Sequence, residues 1–135
     1  MKTILSALIV AFVFCACDVY VVEPRIDVRD RITGKFYVDE YSQTFNNYTS
    51  YNVHVTKSLY NTNEIYIDNF YASNIRVSAY VYNLRITIPY QVVNGYEIEG
   101  TGTIYGNDLS LFYSVRDIYQ AMPTDFCDVD ARLIY

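Results

Sequence analysis

The fold is decided by residues 75–104, which read IRVSAYVYNLRITIPYQVVNGYEIEGTGTI. Apolar residues in its first part recur at every second position: Ile75, Val77, Ala79 and Val81. A period of two places alternate side chains on opposite faces of a strand, so that one face is apolar and the other is polar. The stretch therefore predicts β-strands with one buried face.

The same period continues on both sides of this stretch, from Gly34 to the end of the chain. The apolar positions of the other runs are Phe36 and Val38; Tyr51, Val53 and Val55; Ile65 and Ile67; Leu84, Ile86 and Ile88; Tyr96, Ile98 and Ile104; Leu109, Leu111, Tyr113 and Val115; and Cys127, Val129, Ala131 and Leu133. About eight strands without crossover helices favour an antiparallel barrel or sandwich over any α/β fold. We expect an all-β meander that is closed, or nearly closed, into a barrel.

Turn-forming residues fall between the predicted strands. They are Asn61-Thr62-Asn63, Asn83, Asn94-Gly95 and Gly106-Asn107-Asp108. Asn and Gly tolerate positive φ, and Asn-Gly is typical of a type I′ hairpin. Gly100 and Gly102 lie on the apolar face of one strand, which predicts a bulge or a tight bend in a barrel wall. The one weakly helical window is Val115–Met122, where we expect a single turn before Pro123.

The amino terminus has the pattern of an export signal. Lys2 provides a positive charge, and residues 4–14 form an apolar run that is broken only by Ser6. This run is too short to span a bilayer, which needs about 20 apolar residues. We therefore expect residues 1–16 to be a signal peptide that is removed.

The predicted signal ends in Phe14-Cys15-Ala16-Cys17. This tetrapeptide resembles the lipobox of bacterial lipoproteins, in which an apolar residue and two small residues precede the lipid-bearing cysteine. The resemblance implies cleavage before Cys17, which would then carry a diacylglycerol and an acylated amino group that anchor the protein to a membrane. The alternative is an ordinary secretory signal followed by an incidental cysteine.

Residues 17–33 form a lead-in to the barrel domain, which we place at residues 34–135. Pro24 precedes a segment, residues 25–31, in which charged and apolar residues alternate. This alternation is compatible with a short edge strand, an extended lead-in or a solvated linker. Removal of sixteen of the 135 residues leaves 119, which suits a single domain with its own core.

The charge balance disfavours a nucleic-acid partner. The net charge of the whole chain is −5. Arg25, Arg29 and Arg31 alternate with Asp27 and Asp30, so their charges cancel locally and form no basic stripe for phosphates. Because 52% of the residues are hydrophobic and only 19% are charged, we expect a folded chain.

Few residues could carry catalysis or bind a metal. His54 is the only histidine, which excludes multi-histidine zinc sites, and it falls on a polar strand face. Cys127 alternates with polar neighbours as a small buried residue would. The remaining candidates match no EF-hand or acid-pair motif, and we expect them on solvated strand faces: Glu97, Glu99, Asp125, Asp128 and Asp130. We predict no catalytic site, no metal site and no cofactor.

Tyrosine is the distinctive residue of the sequence, with 16 copies and no tryptophan. Tyr66, Tyr80 and Tyr82 fall on otherwise polar strand faces. An exposed tyrosine stripe would suit recognition, because each ring offers contact area and each hydroxyl a hydrogen bond. The alternative is that tyrosine simply favours strands and cross-strand packing. We take these three residues as candidate binding residues.

Three features carry a family resemblance: the Cys17-Asp18 start, Gly34-Lys35-Phe36-Tyr37 and the hairpin segment NGYEIEG at residues 94–100. In these the chain resembles the lipocalin-like, or calycin, barrels of small Bacteroidetes lipoproteins. The resemblance implies a lipid-anchored barrel in the bacterial envelope, at the outer membrane. Our first hypothesis is a non-enzymatic lipoprotein that binds another envelope component through its tyrosine-rich surface. The alternative is a carrier of a small apolar ligand, because an eight-stranded barrel can just hold one small molecule.

Overall fold

The computed structural model describes residues 18–135, so the predicted signal peptide and Cys17 lie outside the described residues. A short 3₁₀ helix, Val28–Ile32, precedes eight strands. The strands are β1 (Gly34–Ser42), β2 (Asn47–Lys57), β3 (Glu64–Phe70), β4 (Ile75–Tyr82), β5 (Arg85–Val93), β6 (Tyr96–Tyr105), β7 (Asp108–Asp117) and β8 (Asp125–Leu133). They confirm the predicted all-β class. Within residues 18–135, no helix has the length and apolar character needed to cross a membrane.

The strands form one antiparallel barrel in chain order. Each strand pairs with the next, and β1 also pairs with β8, which closes the sheet on itself. At this seam Phe36 lies opposite Leu133, and Ser42 lies opposite Cys127. Closure leaves no unpaired strand edge in the sheet. The predicted eight-stranded meander is therefore confirmed, in its closed form.

The meander gives the barrel two ends. The helix end comprises the 3₁₀ helix, the β2–β3, β4–β5 and β6–β7 turns, and residues 134–135. The distal end comprises the β1–β2, β3–β4, β5–β6 and β7–β8 turns. Residues 18–26 reach the barrel at the helix end, because they lead directly into the 3₁₀ helix.

The interior of the barrel is filled by side chains that point inward at alternate strand positions. The largest of those with almost no exposure are Tyr113, Phe36, Phe70, Ile32, Ile65, Ile67, Ile86, Ile88 and Ile98. Each large apolar side chain contributes about 1.5–3 kcal/mol when it is fully buried. A cavity of about 10 Å³ remains among the side chains of β1, β2, β3, β7 and β8. It has room for one water molecule at most.

Gly100 and Gly102 allow β6 to approach β7 very closely. A Cβ atom at Gly100 would lie 2.5 Å from the Cβ atom of Tyr113, and one at Gly102 would lie 2.4 Å from the side chain of Leu111. Any larger residue would push the two strands apart. The accompanying bulge lies in the facing strand β5, at residues 89–90. The register irregularity thus lies beside Gly100 but in the neighbouring strand, and a bend of β6 itself stays a prediction.

The turns follow the predicted pattern, with two corrections. Asn94 and Gly95 have φ angles of 48° and 82°, as a type I′ hairpin requires. Leu84, which we predicted on an apolar strand face, is instead exposed in the β4–β5 turn. The predicted helical window is also wrong at its start, because Val115–Asp117 continue β7 and remain paired with β6. Cross-strand pairing outweighs the weak helical preference of this segment.

The 3₁₀ helix fastens the lead-in to the barrel, where the sequence had suggested an edge strand or a linker. Asp27 caps this helix by accepting a hydrogen bond from the Arg29 backbone N–H at 3.0 Å. Ile32 is fully buried beneath the helix. The Arg29 guanidinium donates to the backbone carbonyls of Asn61 and Glu64, each at 2.9 Å. A buried arginine thus ties the lead-in to the β2–β3 turn.

Candidate functional site

An open groove of about 700 Å³ crosses the outer wall of the barrel over β5, β6, β7, β8 and β1. We refer to it as the outer groove. Its β5–β7 part is lined by the basic side chain of Arg85 and by short hydroxyl side chains, namely Thr87, Thr101, Thr103 and Ser110. The side chains here are small, and β6 carries glycines at positions 100 and 102, where it lies very close to β7. A barrel wall that is normally convex therefore offers a recess.

The β8–β1 part of the outer groove contains three carboxylates. Asp39 lies directly opposite Asp130 across the seam, and Asp128 lies two positions before Asp130 in β8. Arg132 donates to Asp39 at 2.9 Å, and the Gln43 side chain donates to Asp128 at 2.6 Å. Like charges directly opposite each other destabilise a sheet. The groove is thus a place where negative charge is concentrated in spite of its cost.

Aromatic rings border the same part of the groove. Tyr41 and Tyr48 pack with ring centroids 4.7 Å apart and planes tilted by 38°. The Tyr48 side chain remains 79% exposed. Phe112 lies on the far side of the carboxylates and stacks on Phe126 with centroids 6.5 Å apart. Exposed rings beside carboxylates can hold a cation from two directions, by charge and by cation–π attraction.

A second recess of about 460 Å³ adjoins the outer groove on the same wall. It shares Thr87, Thr101 and Phe112 with the groove and adds Pro89 and Tyr90 from the bulge in β5. Its lining is mainly apolar. The two recesses together form a continuous surface with an acidic part and an apolar part.

A polar cluster is buried in the distal half of the barrel interior, around Glu40. Glu40 is 5% exposed, and its Oε2 atom accepts hydrogen bonds from the hydroxyls of Tyr113 and Tyr51, the latter at 2.6 Å. Burial raises the pKa of Glu40 above its ordinary value, while the two tyrosine hydroxyls lower it and the charge of Asp125 raises it. The net direction of the pKa shift of Glu40 is upward.

Asp125 belongs to this buried cluster, which corrects its predicted place on a solvated strand face. Its carboxylate accepts hydrogen bonds from the Ser42 hydroxyl and from the Tyr71 hydroxyl, the latter at 2.7 Å. Asp125 shares the inward phase of β8 with Cys127, so the same alternation that buries the thiol buries the carboxylate. Asp128, by contrast, is exposed as predicted.

Cys127 is fully buried, as the sequence predicted. Burial raises the pKa of its thiol well above the ordinary value, and the nearby carboxylates of Glu40 and Asp125 raise it further. The thiolate is the nucleophilic form of cysteine. The structure therefore brings a thiol and two carboxylates together but keeps the thiol protonated and away from solvent.

The three candidate tyrosines lie on the outer face of β3 and β4, away from the outer groove. Tyr66 is half-buried, with the Arg76 guanidinium 5.1 Å from its ring centroid and its hydroxyl 3.3 Å from the Ser58 Oγ atom. Tyr80 is also half-buried, whereas Tyr82 is exposed near the helix end. The Tyr66 ring is thus engaged with its own sheet, and the role of all three tyrosines in binding stays a prediction.

His54 is exposed on β2, between Lys35 of β1 and Asp68 of β3. Its position on a polar strand face is as predicted. Within residues 18–135, no group of three or more His, Cys, Asp or Glu side chains has the arrangement of a metal site.

The barrel interior gives no room to the apolar ligand that the carrier hypothesis requires. Pockets for such ligands usually measure about 300–1,000 Å³. The interior cavity of about 10 Å³ is far smaller. The larger recesses of residues 18–135 lie outside the barrel interior: the outer groove, its neighbour of about 460 Å³, and a recess of about 580 Å³ at the helix end between the lead-in and the β2–β3 and β4–β5 turns.

Sequence reasoning missed Glu40 and the outer groove. The signal for Glu40 was present, because it shares the phase of Phe36 and Val38 on β1 and its neighbours Asp39 and Tyr41 occupy the opposite phase. The groove had no comparable signal. Its lining comes from strands that are far apart along the chain and are brought together only by closure of the seam.

No protein-family model and no curated protein matches the sequence. A solved structure that the chain resembles is that of a redesigned β-barrel, with 6% sequence identity and a TM-score of 0.57. The match covers 81% of this chain and 96% of the redesigned barrel. At this level of identity the likeness shows the barrel fold alone.

Proposed function

We propose that this chain is a non-enzymatic, lipid-anchored protein of the bacterial envelope that binds a basic segment of another envelope protein in the outer groove. Cys17 is the proposed anchor, at the outer membrane. Residues 18–26 are exposed and separate Cys17 from the 3₁₀ helix, as a tether between lipid and domain would. The filled interior leaves the outer surface as the part of the barrel that can meet a partner.

The observation that carries this proposal is the placement of Asp39 opposite Asp130 in the outer groove. Arg132 neutralises part of the charge at Asp39, and Arg85 lines the β5 side of the groove. Asp128 adds a third carboxylate, so acidic side chains outnumber basic ones in the lining. The repulsion between these groups is relieved when a cation lies among them. A lysine or arginine side chain supplies such a cation together with an apolar stem.

The aromatic lining supports the same choice of partner. Tyr48 is exposed at one side of the carboxylates and Phe112 at the other. A guanidinium or ammonium group over such rings gains about 0.5–1 kcal/mol at an exposed site. The stems of lysine and arginine also pack well on apolar surface, which the adjoining recess offers at Pro89 and Tyr90.

The size of the groove favours a peptide segment over a single small cation. The groove crosses five neighbouring strands, which lie about 4.8 Å apart, so it is close to 20 Å wide. This distance accommodates about six residues of extended chain. We therefore expect recognition of a short basic stretch within a larger envelope protein.

Site-specific photo-crosslinking in the cells that make the protein tests this proposal. A photoreactive phenylalanine analogue replaces Tyr48 or Phe112 in the full-length chain, and Tyr119, which is exposed at the distal end outside the groove, provides the control position. We expect Tyr48 and Phe112 to cross-link to the same protein, within a segment that contains Lys or Arg. The double variant Asp39→Asn/Asp130→Asn should abolish both cross-links.

Three results would count against the proposal. The first is the absence of a protein cross-link at Tyr48 and Phe112, and the second is cross-linking that persists in the Asp39→Asn/Asp130→Asn variant. The third is cross-linking to a glycan, which would assign the groove to a different class of ligand.

A further inference from the structure

We propose that the helix end of the barrel rests on the bilayer surface and inserts its rim of exposed apolar side chains into the lipid interface. This inference rests on the proposed anchor at Cys17, and it adds a second, non-covalent contact with the membrane. It also fixes which end of the barrel faces the lipid.

The apolar rim is formed by residues of the turns at the helix end, by the strand residues that directly precede two of these turns, and by residues 134–135. Its members are Leu59, Tyr60, Tyr82, Leu84, Tyr105, Ile134 and Tyr135. Leu59 and Tyr60 are the most exposed, at 93% and 96%. Tyrosine is enriched at membrane interfaces, where its ring meets the acyl region and its hydroxyl meets the headgroups. The composition of the rim matches a lipid interface.

Leu59 and Tyr60 are exposed in an ordered turn. The Ser58 side chain is buried beneath them and accepts hydrogen bonds from the backbone N–H groups of Tyr60 and Asn61, at 3.2 and 3.3 Å. Arg29 binds carbonyls of the same turn from below. The two apolar side chains are therefore held outward by buried polar contacts, which lowers the entropic cost of placing them in a membrane.

The two ends of the barrel differ in charge. Most lysines and arginines of residues 18–135 lie in the half toward the helix end: Arg25, Arg29, Arg31, Lys35, Lys57, Arg85 and Arg132. Carboxylates of the same half or of the seam offset part of this charge, because Arg29, Lys57 and Arg132 are ion-paired with Asp27, Asp30 and Asp39. The distal half has only Arg76 and Arg116, each paired with a carboxylate, and its remaining carboxylates leave it negative. An anionic lipid surface therefore repels the distal end more than the helix end.

The path of the chain leads to the same conclusion. Residues 18–26 enter at the helix end and span at most about 30 Å when extended. Their apolar side chains, Val19, Tyr20, Val21, Val22 and Ile26, are all exposed. Exposed apolar residues are unusual in a solvated linker, and they suit a segment that lies along the interface. The segment and the rim would then form one contact surface.

Fluorescence quenching in vesicles tests this orientation. The full-length precursor is processed in a bacterium, and the resulting protein is reconstituted into vesicles of phosphatidylethanolamine and phosphatidylglycerol that contain a headgroup spin-labelled lipid. A polarity-sensitive fluorophore is attached to Leu59→Cys, and in a matched control to Tyr119→Cys, which is exposed at the distal end. Cys127 is buried and does not compete for the label.

We expect the label at Leu59→Cys to be quenched strongly and blue-shifted, and the label at Tyr119→Cys to behave as in water. Addition of Tyr60→Ser and Tyr135→Ser to the Leu59→Cys variant should reduce the quenching, since all three positions are exposed and their replacement leaves the core intact.

Flotation of the vesicles reports the lipid anchor separately. Protein that floats but shows equal, weak quenching at both positions overturns the inference and leaves the anchor standing. Protein that does not float overturns both.

Discussion

Arg29 at the helix end and Glu40 at the distal end are both almost completely buried, at 8% and 5% exposure, but their partners differ. Arg29 is ion-paired with Asp27 at 2.7 Å and also donates to backbone carbonyls. Glu40 has only tyrosine hydroxyls as direct partners, and its nearest charged influence is another carboxylate, Asp125. One end is therefore held by a permanent charge with its counterion, and the other by a group whose charge depends on pH.

The largest expected effect is that of Arg29→Ala. The substitution leaves Asp27 without its ion-pair partner and the carbonyls of Asn61 and Glu64 without donors. We expect a loss of about 3 kcal/mol in the free energy of unfolding, measured by urea denaturation at neutral pH. Arg31→Ala, an exposed change on the same helix, provides the control and should cost less than about 0.5 kcal/mol. If Arg29→Ala and Arg31→Ala lowered the free energy of unfolding equally, Arg29 would not hold the helix end as proposed.

Tyr113→Phe should have a smaller effect. It removes one of the two hydroxyls that donate to Glu40 and keeps the ring that packs against Phe70 at a centroid distance of 4.4 Å. We expect a loss of about 1.5 kcal/mol, since one hydrogen bond to a carboxyl group is lost and the apolar contacts remain. Tyr80→Phe on the outer face is the matched control. A loss for Tyr113→Phe as large as that of Arg29→Ala would show that the distal cluster is held as firmly as the helix end.

The smallest expected effect is that of Glu40→Gln, which should change how the free energy of unfolding varies with pH. Burial raises the pKa of Glu40 above its ordinary value of 4.5, so the folded protein binds this proton more tightly than the unfolded chain does. Its contribution to stability is present below pH 4.5 and is lost as pH rises through the raised pKa. Glu40→Gln should remove this decline, as measured by urea denaturation from pH 4 to pH 8.

Glu97→Gln is the control for this pH series, because the pKa of Glu97 is shifted in the opposite direction to that of Glu40. The Arg116 guanidinium lowers the pKa of Glu97, so the stability that this ion pair adds is lost as pH falls. If Glu40→Gln and the unsubstituted protein showed the same decline from pH 4 to pH 8, the distal cluster would not be the source of the pH dependence.

The strands and their order could be predicted from the sequence because each depends on neighbouring residues. Alternation places Val53 and Val55 inside β2, and the turn at Asn94-Gly95 requires only the conformations of two residues. The alternation of the strands and the turns between them use information that is local in the chain. Closure through the β1–β8 pairing agrees with the expected barrel, but strand period alone favoured a barrel and a sandwich equally.

The buried arginine and the outer groove could not be predicted in the same way. Arg29 looked like one charge in an alternating series, and its burial depends on carbonyls 29 to 35 positions away in the β2–β3 turn. Tyr66 was expected to be exposed, but Arg76 on the adjacent strand covers its ring. Such contacts are decided by cross-strand register and packing, which period and composition do not specify.

The β1–β8 seam is the strand pair that must form last when the barrel folds from its amino-terminal end. Hairpins from β1 to β7 can form successively as the chain becomes available, but Asp39 and Arg132, which meet at the seam, are 93 positions apart. Until β8 arrives, β1 is an edge strand that could pair with another chain. Lys35 and Asp39 place charges on that temporary edge, which discourages such pairing during the interval. Pairing of β8 with β1 removes this edge and completes the barrel.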